Sequence, residues 1–311
     1  MNIKEFFKYS AEILKNTDVE APVFEAGVML CHVLKCSRTY LYSHDDLNLN
    51  EEQFNVLEHM VDERTRNVPL QYLTGETEFM SLTFTVNPSV LIPRQDTEIL
   101  VEKCIELVNA AAADENNKDK PECKPAVRIL DMCTGSGCIA VSIANYCPNG
   151  IVTACDISGD ALEIAQANAE RLGVKNRLEF RQGNLFEALD GEAGYDLIVS
   201  NPPYIETKTM QELQKEVRDF EPHIALDGGM DGLDFYRRIT AEAPLYLNHG
   251  GHLAFEIGYN QGESVKQLME RDFTDIQVLR DLGGNHRVVY GKIKSGFSRS
   301  KAVMHPHPED F

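Results

Sequence analysis

Val127-Arg128-Ile129-Leu130-Asp131-Met132-Cys133-Thr134-Gly135-Ser136-Gly137-Cys138-Ile139-Ala140 is the stretch that decides the fold of this 311-residue chain. An apolar run of strand type leads through a turn with two glycines into an apolar helical stretch that continues to Ile143. Glycine permits backbone angles and a close ligand approach that a Cβ would block. The first turn of a helix offers free N–H groups and the positive end of a dipole. The stretch therefore predicts a strand, a ligand-binding turn and a helix.

From Val127 onward strands and helices alternate, which predicts an α/β fold with a mostly parallel sheet and helices on both faces. The helices are expected near Ile139–Asn145, Ala161–Leu172, Leu233–Tyr246 and Gln261–Arg271. No helix separates the last two strands, so the last strand is expected to be antiparallel. The seven predicted strands are Val127–Leu130, Ile151–Cys155, Leu178–Gln182, Tyr195–Ser200, Gly251–Ile257, Asp275–Leu279 and Arg287–Lys292.

The part of the chain before the sheet has a different pattern. Apolar residues recur at helical spacing from Ile3 to about Arg66, which predicts a small helical bundle. The β-like pieces Met80–Val86 and Val90–Ile92 predict a hairpin between two domains, and a helix is expected from about Asp96 to Ala112. We therefore expect a helical domain at 1–75, a β-hairpin linker at 76–95, an α/β domain at 96–294 and a polar tail at 295–311.

Two acids frame the glycine turn and indicate which cofactor it binds. Asp156 ends the second predicted strand, about 20 residues beyond the glycines, where an acid reaches the hydroxyls of a cofactor ribose. The pattern Gly135-x-Gly137-x-x-Ala140 also fits nicotinamide dinucleotides, but Asp131 repels a pyrophosphate and accepts an ammonium. A helix-turn cap at Asp131 and a solvated strand end at Asp156 are the structural alternatives. We expect S-adenosylmethionine, which has both an ammonium and a ribose.

Asn201-Pro202-Pro203-Tyr204 follows the fourth predicted strand and suits methylation of a planar, weakly nucleophilic nitrogen. The side-chain carbonyl of Asn201 and the backbone carbonyl of Pro202 offer acceptors for the N–H groups of such a nitrogen, and Tyr204 offers an aromatic wall. Both prolines lack a donor N–H and fix φ, so the turn is stiff. An ordinary Pro-Pro loop at a strand end is the structural alternative.

Composition limits the class of protein. A chain with 43% hydrophobic and 25% charged residues can bury a sizeable core. No apolar stretch is long enough to span a bilayer and the start has no signal-peptide core, so we expect a soluble cytoplasmic protein. The eight cysteines include no C-x-x-C pair, which favours free thiols in a reducing compartment. His305 and His307 have no companions at ligand spacing, so no metal site is expected.

The formal net charge of −19 favours a protein substrate over duplex nucleic acid, because nucleic-acid binding draws on Lys and Arg.

An ordered series of motifs extends over nearly the whole chain and resembles the HemK/PrmC family, the peptide chain release factor N5-glutamine methyltransferases. Besides the glycine turn, the motifs are Gln71-Tyr72-Leu73-Thr74-Gly75, Leu91-Ile92-Pro93-Arg94-Gln95-Asp96-Thr97-Glu98, Asn201-Pro202-Pro203-Tyr204-Ile205, Phe220-Glu221-Pro222, Ala225-Leu226-Asp227-Gly228-Gly229 and Asp231-Gly232-Leu233-Asp234.

This resemblance implies a seven-stranded, Rossmann-like, S-adenosylmethionine-dependent methyltransferase domain that methylates the glutamine of the Gly-Gly-Gln loop in release factors. It implies that the helical domain helps to recognise the release factor. The cofactor would be held by Asp131, Cys133, Thr134, Gly135, Ser136, Gly137, Asp156, Asn184, Leu185 and Asn201. Asn201 and Pro202 would bind the glutamine amide and Tyr204 would close the pocket, with Pro203 and Arg94 also on the substrate side.

Three residues depart from the family pattern, and three other functions stay open. Cys133 stands where glycine is frequent, Gln95 where proline is common, and Leu185 where some members have an aromatic residue adjoining the adenine. An adenine-N6 methyltransferase acting on nucleic acid shares the same chemical problem and the same turn. A glutamine methyltransferase acting on a ribosomal protein is closer still. A non-catalytic cofactor-binding protein on the same fold is the third alternative.

Overall fold

A computed structural model describes residues 1–15, 17–113 and 126–295 of the chain. The predicted loop 114–124 lies outside the described residues, together with Cys123, His305, His307 and all of the predicted tail except Ser295. The chain folds into two compact units. The first unit comprises Met1–Glu76, Val86–Pro88 and Leu213–Glu221, and the second comprises Thr77–Thr85, Ser89–Glu212 and Pro222–Phe311.

The first unit is helical, as the spacing of its apolar residues predicts. Its helices are α1 (Ile3–Leu14), α2 (Pro22–Leu34), α3 (Arg38–Ser43), α4 (Glu51–Thr65) and α5 (Leu70–Thr74), joined by α9 (Lys215–Phe220) from much later in the chain. Capping boxes start α1 and α4, where the side chains of Asn2 and Asn50 accept from backbone N–H groups three residues on. The sequence did not predict that α9 belongs with these helices. The predicted domain boundaries themselves stay a prediction.

The second unit contains a seven-stranded sheet in the order β5-β4-β3-β6-β7-β9-β8. The strands are β3 (Val127–Met132), β4 (Gly150–Asp156), β5 (Leu178–Gln182), β6 (Tyr195–Ser200), β7 (Leu247–Glu256), β8 (Phe273–Arg280) and β9 (His286–Ile293). Strands β3 to β7 pair in parallel, while β9 pairs antiparallel with both β7 and β8. The predicted fold class is confirmed, including the antiparallel last strand.

Helices cover both faces of this sheet, so its central strands are buried on both sides. The helices are α6 (Glu98–Ala113), α7 (Cys138–Tyr146), α8 (Gly159–Arg171), α10 (Asp234–Tyr246) and α11 (Gly262–Met269). One apolar core contains Ile129 of β3 together with α6 and α7, and the other contains Leu130 together with α10 and α11. Successive residues of β3 thus point into different cores, as the alternation of side chains along a strand requires.

The predicted hairpin is present, but its strands differ from those expected. They are β1 (Glu76–Phe79) and β2 (Leu82–Thr85), which form a two-stranded sheet. Met80 and Ser81, with φ of 51° and 57°, make the turn inside the segment predicted as one strand. Val90–Ile92 is irregular rather than a strand, so that part of the prediction was wrong. Apolar residues there do not signal pairing, because Val90 and Leu91 line a cavity.

No helix among the described residues has the length and apolar character that crossing a membrane requires.

Candidate active site

A cavity of about 340 Å³ opens in the second unit, within the usual size range of small-molecule sites. Its walls include residues that follow β3, β4, β5 and β6. Strand β3 has β4 on one side and β6 on the other, so the chain changes direction across the sheet here, as at ligand sites of open α/β folds. The predicted site residues that line the cavity are Arg94, Cys133, Thr134, Gly135, Ser136, Asp156, Asn184, Leu185, Asn201 and Pro203. Those that do not line it are Asp131, Gly137, Pro202 and Tyr204.

The glycine turn bends sharply between β3 and α7 because three of its residues have positive φ. These are Cys133 at 62°, Gly135 at 54° and Gly137 at 77°. A Cβ on Gly137 would lie 2.9 Å from Cβ of Ala165, so the close packing of α7 and α8 excludes any larger residue there. Cys133 occupies a conformation that favours glycine. This accounts for the frequent glycine at that position in the family that the sequence resembles.

Asp156 at the end of β4 joins the turn to the next strand and faces the cavity. Its Oδ2 accepts a hydrogen bond from the Gly135 N–H at 2.8 Å, and its Oδ1 accepts one from the Ser158 N–H at 2.9 Å. Burial raises the pKa of this carboxyl, although the backbone donors oppose that shift. Each carboxylate oxygen has further acceptor capacity. Asp156 is therefore suited to receive hydroxyl donors from a ligand.

Asp131 lies beneath the turn, fully buried. Its Oδ2 accepts from the Thr134 hydroxyl at 2.6 Å and from the Ala140 N–H at 3.2 Å. Its Oδ1 has no hydrogen-bond partner in the described part of the chain, and burial raises the pKa of the carboxyl to about 7. Through these two hydrogen bonds, Asp131 of β3 holds the glycine turn and the first residues of α7 in place. Its predicted contact with a ligand ammonium stays a prediction.

Asn184 and Leu185 form another part of the cavity wall, after β5. Leu185 has a φ of 55° and is 4% exposed, so its side chain is fixed in the wall. The Arg238 guanidinium donates to Oδ1 of Asn184 at 3.0 Å, and Arg238 also lines the cavity. The sequence reasoning missed Arg238, because no local pattern in α10 distinguishes it from a solvated arginine.

The Asn201–Tyr204 turn follows β6 and is held by a second loop. The Ile205 N–H donates to the Leu226 carbonyl at 2.9 Å, and the Gly228 N–H donates to the Ile205 carbonyl at 2.8 Å. A Cβ on Gly228 would lie 2.7 Å from Cα of Tyr204. This close approach gives the Ala225–Gly229 motif its physical role: only a glycine lets the loop come so near to the turn.

Glu256, at the end of β7, lies behind this turn and is 2% exposed. The Tyr204 hydroxyl donates to its Oε1 at 3.5 Å, and Nδ2 of Asn201 donates to Oγ1 of the buried Thr97 at the same distance. The sequence reasoning missed Glu256 and gave Thr97 no role. The sequence signal for Glu256 was an acid within an apolar strand, and that for Thr97 was its place in the motif that begins at Leu91.

Three cysteines line the cavity, namely Cys133, Cys138 and Cys155. Burial raises the pKa of Cys138 and of Cys155 to about 12 and also raises that of Cys133, so all three are neutral thiols at neutral pH. Every cysteine among the described residues is free, and those residues contain no group of three His, Cys, Asp or Glu that could hold a metal ion.

Comparisons with known proteins give consistent matches for both units. A family model described as the PrmC N-terminal domain matches residues 5–75, and the methyltransferase small domain matches residues 119–219. The release factor glutamine methyltransferase of Geobacter sulfurreducens is 42% identical over 292 residues, covering 94% of this chain and 96% of the relative. That of Koribacter versatilis is 38% identical, covering 94% and 99%.

A solved structure also matches, that of a release factor-specific protein-(glutamine-N5) methyltransferase from Alicyclobacillus acidocaldarius. It is 34% identical, with a TM-score of 0.39, and the match covers 68% of this chain and 99% of that one.

Proposed function

Since the chain belongs to the release factor glutamine methyltransferase family, we propose that its acceptor is the N5 amide of the glutamine in the Gly-Gly-Gln motif of a peptide chain release factor. The enzyme is a methyltransferase that uses S-adenosylmethionine. One observation carries the proposal: Asn201 and Pro203 of the Asn201–Tyr204 turn line the same cavity as Gly135 of the glycine turn and Asp156 at the end of β4. A methyl donor at the glycine turn and an amide at the Asn201–Tyr204 turn would share this one cavity.

The residues of the cavity fit S-adenosylmethionine. Gly135 faces open space, where a Cβ would meet no atom within 4 Å, so the backbone of the turn is accessible to a ligand. The Asp156 carboxylate suits the two ribose hydroxyls, while Leu185 and Asn184 suit an adenine, whose face is apolar and whose edge is polar. Cys133 to Gly137 would hold the methionine part. When bound, S-adenosylmethionine supplies a methyl group on a positively charged sulfur.

The chain's contribution to transfer is to grip a poor nucleophile. A glutamine amide nitrogen shares its lone pair with the carbonyl group, so it attacks only if its two N–H groups are held in a way that pyramidalises the nitrogen and takes the lone pair out of conjugation. We assign this task to the side-chain carbonyl of Asn201, which lines the cavity, and to the backbone carbonyl of Pro202, which lies between the two cavity-lining residues Asn201 and Pro203, with Tyr204 of the same turn closing the pocket. Fixing the amide in line with the methyl can supply up to roughly 7–11 kcal/mol through proximity and orientation.

Electrostatics favour the same step. The amide nitrogen gains positive charge as the new bond forms, so its hydrogen bonds to two carbonyl oxygens strengthen in the transition state. The methylated nitrogen is strongly acidic and gives its proton to water, so no strong base is needed. Pro203 and Arg94, on the cavity wall, would border the bound peptide.

The helical region 1–75 is proposed to recognise the release factor, because the methyltransferase fold itself is shared by enzymes with unrelated substrates. Release factors act on ribosomes, so we place the enzyme in the cytoplasm. The net charge of −19 supports a protein acceptor rather than a nucleic acid.

The proposal is tested by transfer of labelled methyl from S-adenosylmethionine to a purified release factor. A release factor whose Gly-Gly-Gln glutamine is replaced by alanine serves as the matched control, and total RNA and duplex DNA serve as alternative acceptors. Label on the native release factor alone is the expected result. Label on nucleic acid would instead indicate an adenine methyltransferase, and label on no acceptor would indicate a cofactor-binding protein without this activity.

A further inference from the structure

The carboxyl group of Glu256 has no part in the transfer step described above, yet it lies behind the turn that performs it. Its side chain is 2% exposed, and its Oε2 has no hydrogen-bond partner within the described residues. Burying a carboxyl group without full hydrogen bonding costs free energy, so a carboxyl at this position is expected to have a role that offsets the cost. The side chains around Glu256 indicate that role.

The side chains at the two ends of the Asn201–Tyr204 turn both lie near this carboxyl. The Tyr204 hydroxyl donates to Oε1 at 3.5 Å. The side chains of Asn201 and Thr97 lie close enough to act as donors that stabilise the charged form, although neither completes a well-aligned bond to Oε2. The Asn201 amide also donates through Nδ2 to Oγ1 of Thr97. The nitrogen side of the Asn201 amide therefore lies toward Thr97 and Glu256.

We propose that Glu256 is a positioning residue that fixes the orientation of the Asn201 side-chain amide. An amide has an acceptor on one side and donors on the other. The glutamine substrate presents N–H groups, so Asn201 binds it only with Oδ1 turned to the substrate and Nδ2 turned away. A carboxylate on the Nδ2 side of the amide attracts the Nδ2 hydrogens and repels Oδ1, which leaves one orientation. This inference rests on the function proposed above.

The charge of Glu256 depends on its neighbours from several elements. Arg287 of β9 favours the carboxylate, and Asp96 opposes it while forming a 2.9 Å ion pair with Arg287. Tyr204, Tyr236 and Cys138 also face it, all of them neutral at neutral pH because burial raises their pKa values. Burial is the largest effect on Glu256 and raises its pKa to about 7. Turnover should therefore fall as the pH drops through about 7.

The first test compares Glu256→Gln with Thr240→Val, a near-isosteric change at another buried polar group without a hydrogen-bond partner in the described structure. The glutamine amide can turn either its carbonyl oxygen or its N–H groups toward Asn201, so the Asn201 amide loses its fixed orientation. We expect kcat to fall about 10- to 100-fold, as small misplacements of reacting groups do, with S-adenosylmethionine affinity within about twofold. The acid limb near pH 7 should disappear, and Glu256→Asp should restore part of the rate. Unchanged kcat and an unchanged pH profile in a folded Glu256→Gln variant would overturn the inference.

A second measurement needs no methyl acceptor. The ¹³C shift of the Glu256 carboxyl is titrated in the full chain, in Asn201→Ala and in Thr240→Val. Losing the Asn201 donor should raise the pKa of Glu256, while Thr240→Val should leave it unchanged. An identical pKa in Asn201→Ala contradicts the contact on which the inference stands. If the pKa moves as expected but no release factor is methylated, the contact stands and the proposed function fails.

Discussion

The backbone N–H of Gly135 donates a 2.8 Å hydrogen bond to Oδ2 of Asp156, which links the glycine turn to the end of the neighbouring strand. Asp156 also holds the start of α8 through the Ser158 N–H. One carboxylate thus shapes the backbone of the turn and faces the cavity. The sequence predicted Asp156 as a ribose ligand from its distance along the chain to the glycines. That distance does not reveal the second role of Asp156, which is to fix the backbone of the turn.

We expect Asp156→Asn to weaken S-adenosylmethionine binding by roughly 10- to 100-fold, since a hydrogen bond to a charged group contributes about 1.5–3 kcal/mol. The amide keeps the shape of the carboxylate but offers one acceptor instead of two. Isothermal titration calorimetry measures the affinity. Asp160→Asn, an exposed change in the first turn of α8, is the matched control and should bind normally. Equal affinity in both variants would remove Asp156 from the cofactor site.

Alanine substitutions at Gly137 and Gly173 should distinguish the cost of backbone strain from the cost of a steric clash. Both have positive φ, 77° and 70°, but a Cβ on Gly173 would meet no atom within 4 Å, whereas one on Gly137 would press on Ala165. Gly173→Ala should cost about 1–2 kcal/mol of unfolding free energy from strain alone. Gly137→Ala should cost about 1–3 kcal/mol more because of overpacking, and it alone should weaken cofactor binding. Urea denaturation and calorimetry measure these effects, and equal losses in the two variants would contradict the steric argument.

The sequence predicted the sheet well, because the signals for strands and helices are local. Asp131, Asp156 and Asn201 follow apolar runs, and the parallel order brings such strand ends to one edge. The predicted start of a strand was less accurate where the strand begins with polar residues. Strand β7 starts at Leu247, four residues before the predicted Gly251, since Asn248 and His249 carry no apolar alternation.

The remainder of the site depends on contacts between distant parts of the chain. Tyr204 and Glu256 are 52 residues apart, and Asn201 and Thr97 are 104 residues apart. The periodicity of apolar residues along the chain does not indicate contacts between residues this far apart. The Leu213–Glu221 segment was also missed, because its membership of the helical unit rests on partners such as Arg64 that lie far away in sequence.

Asp131 makes stability depend on pH in a specific direction. Burial raises its pKa to about 7 in the folded state, from an ordinary value of 3.8. Its contribution to stability is therefore fully present below the ordinary pKa and is lost as the pH rises through about 7. Relative to Asp131→Asn, the wild type should lose at most about 1.4 kcal/mol per pH unit in this window. Urea denaturation of both proteins at pH 5 and pH 8 measures the difference, and a gap independent of pH would contradict the buried, protonated acid.

Arg64 of the helical unit should contribute far more to stability than its neighbour Arg66. The Arg64 side chain is 7% exposed and pairs with Glu25 at 2.6 Å and with Glu216 of α9 at 2.9 Å. Arg64→Met leaves carboxylates without a partner and should cost about 3–5 kcal/mol. Arg66 is 62% exposed, so Arg66→Met, which breaks two ion pairs, should cost less than about 1 kcal/mol. Denaturant unfolding compares the two, and similar costs would show that burial adds nothing here.

Asn201→Ala should separate catalysis from cofactor binding. Asn201 lines the cavity, but its assigned partner is the glutamine amide, whose N–H groups gain acidity as the methyl is transferred. Losing one such electrostatic contact typically lowers kcat about 10²- to 10³-fold. The S-adenosylmethionine affinity should change much less, because the glycine turn and Asp156 are untouched. Steady-state methyl transfer measures the first quantity and titration of S-adenosylmethionine the second. Asn260→Ala, an exposed change after β7, is the matched control. Comparable losses of rate and affinity in Asn201→Ala would place Asn201 with the cofactor and leave the amide without its proposed acceptor.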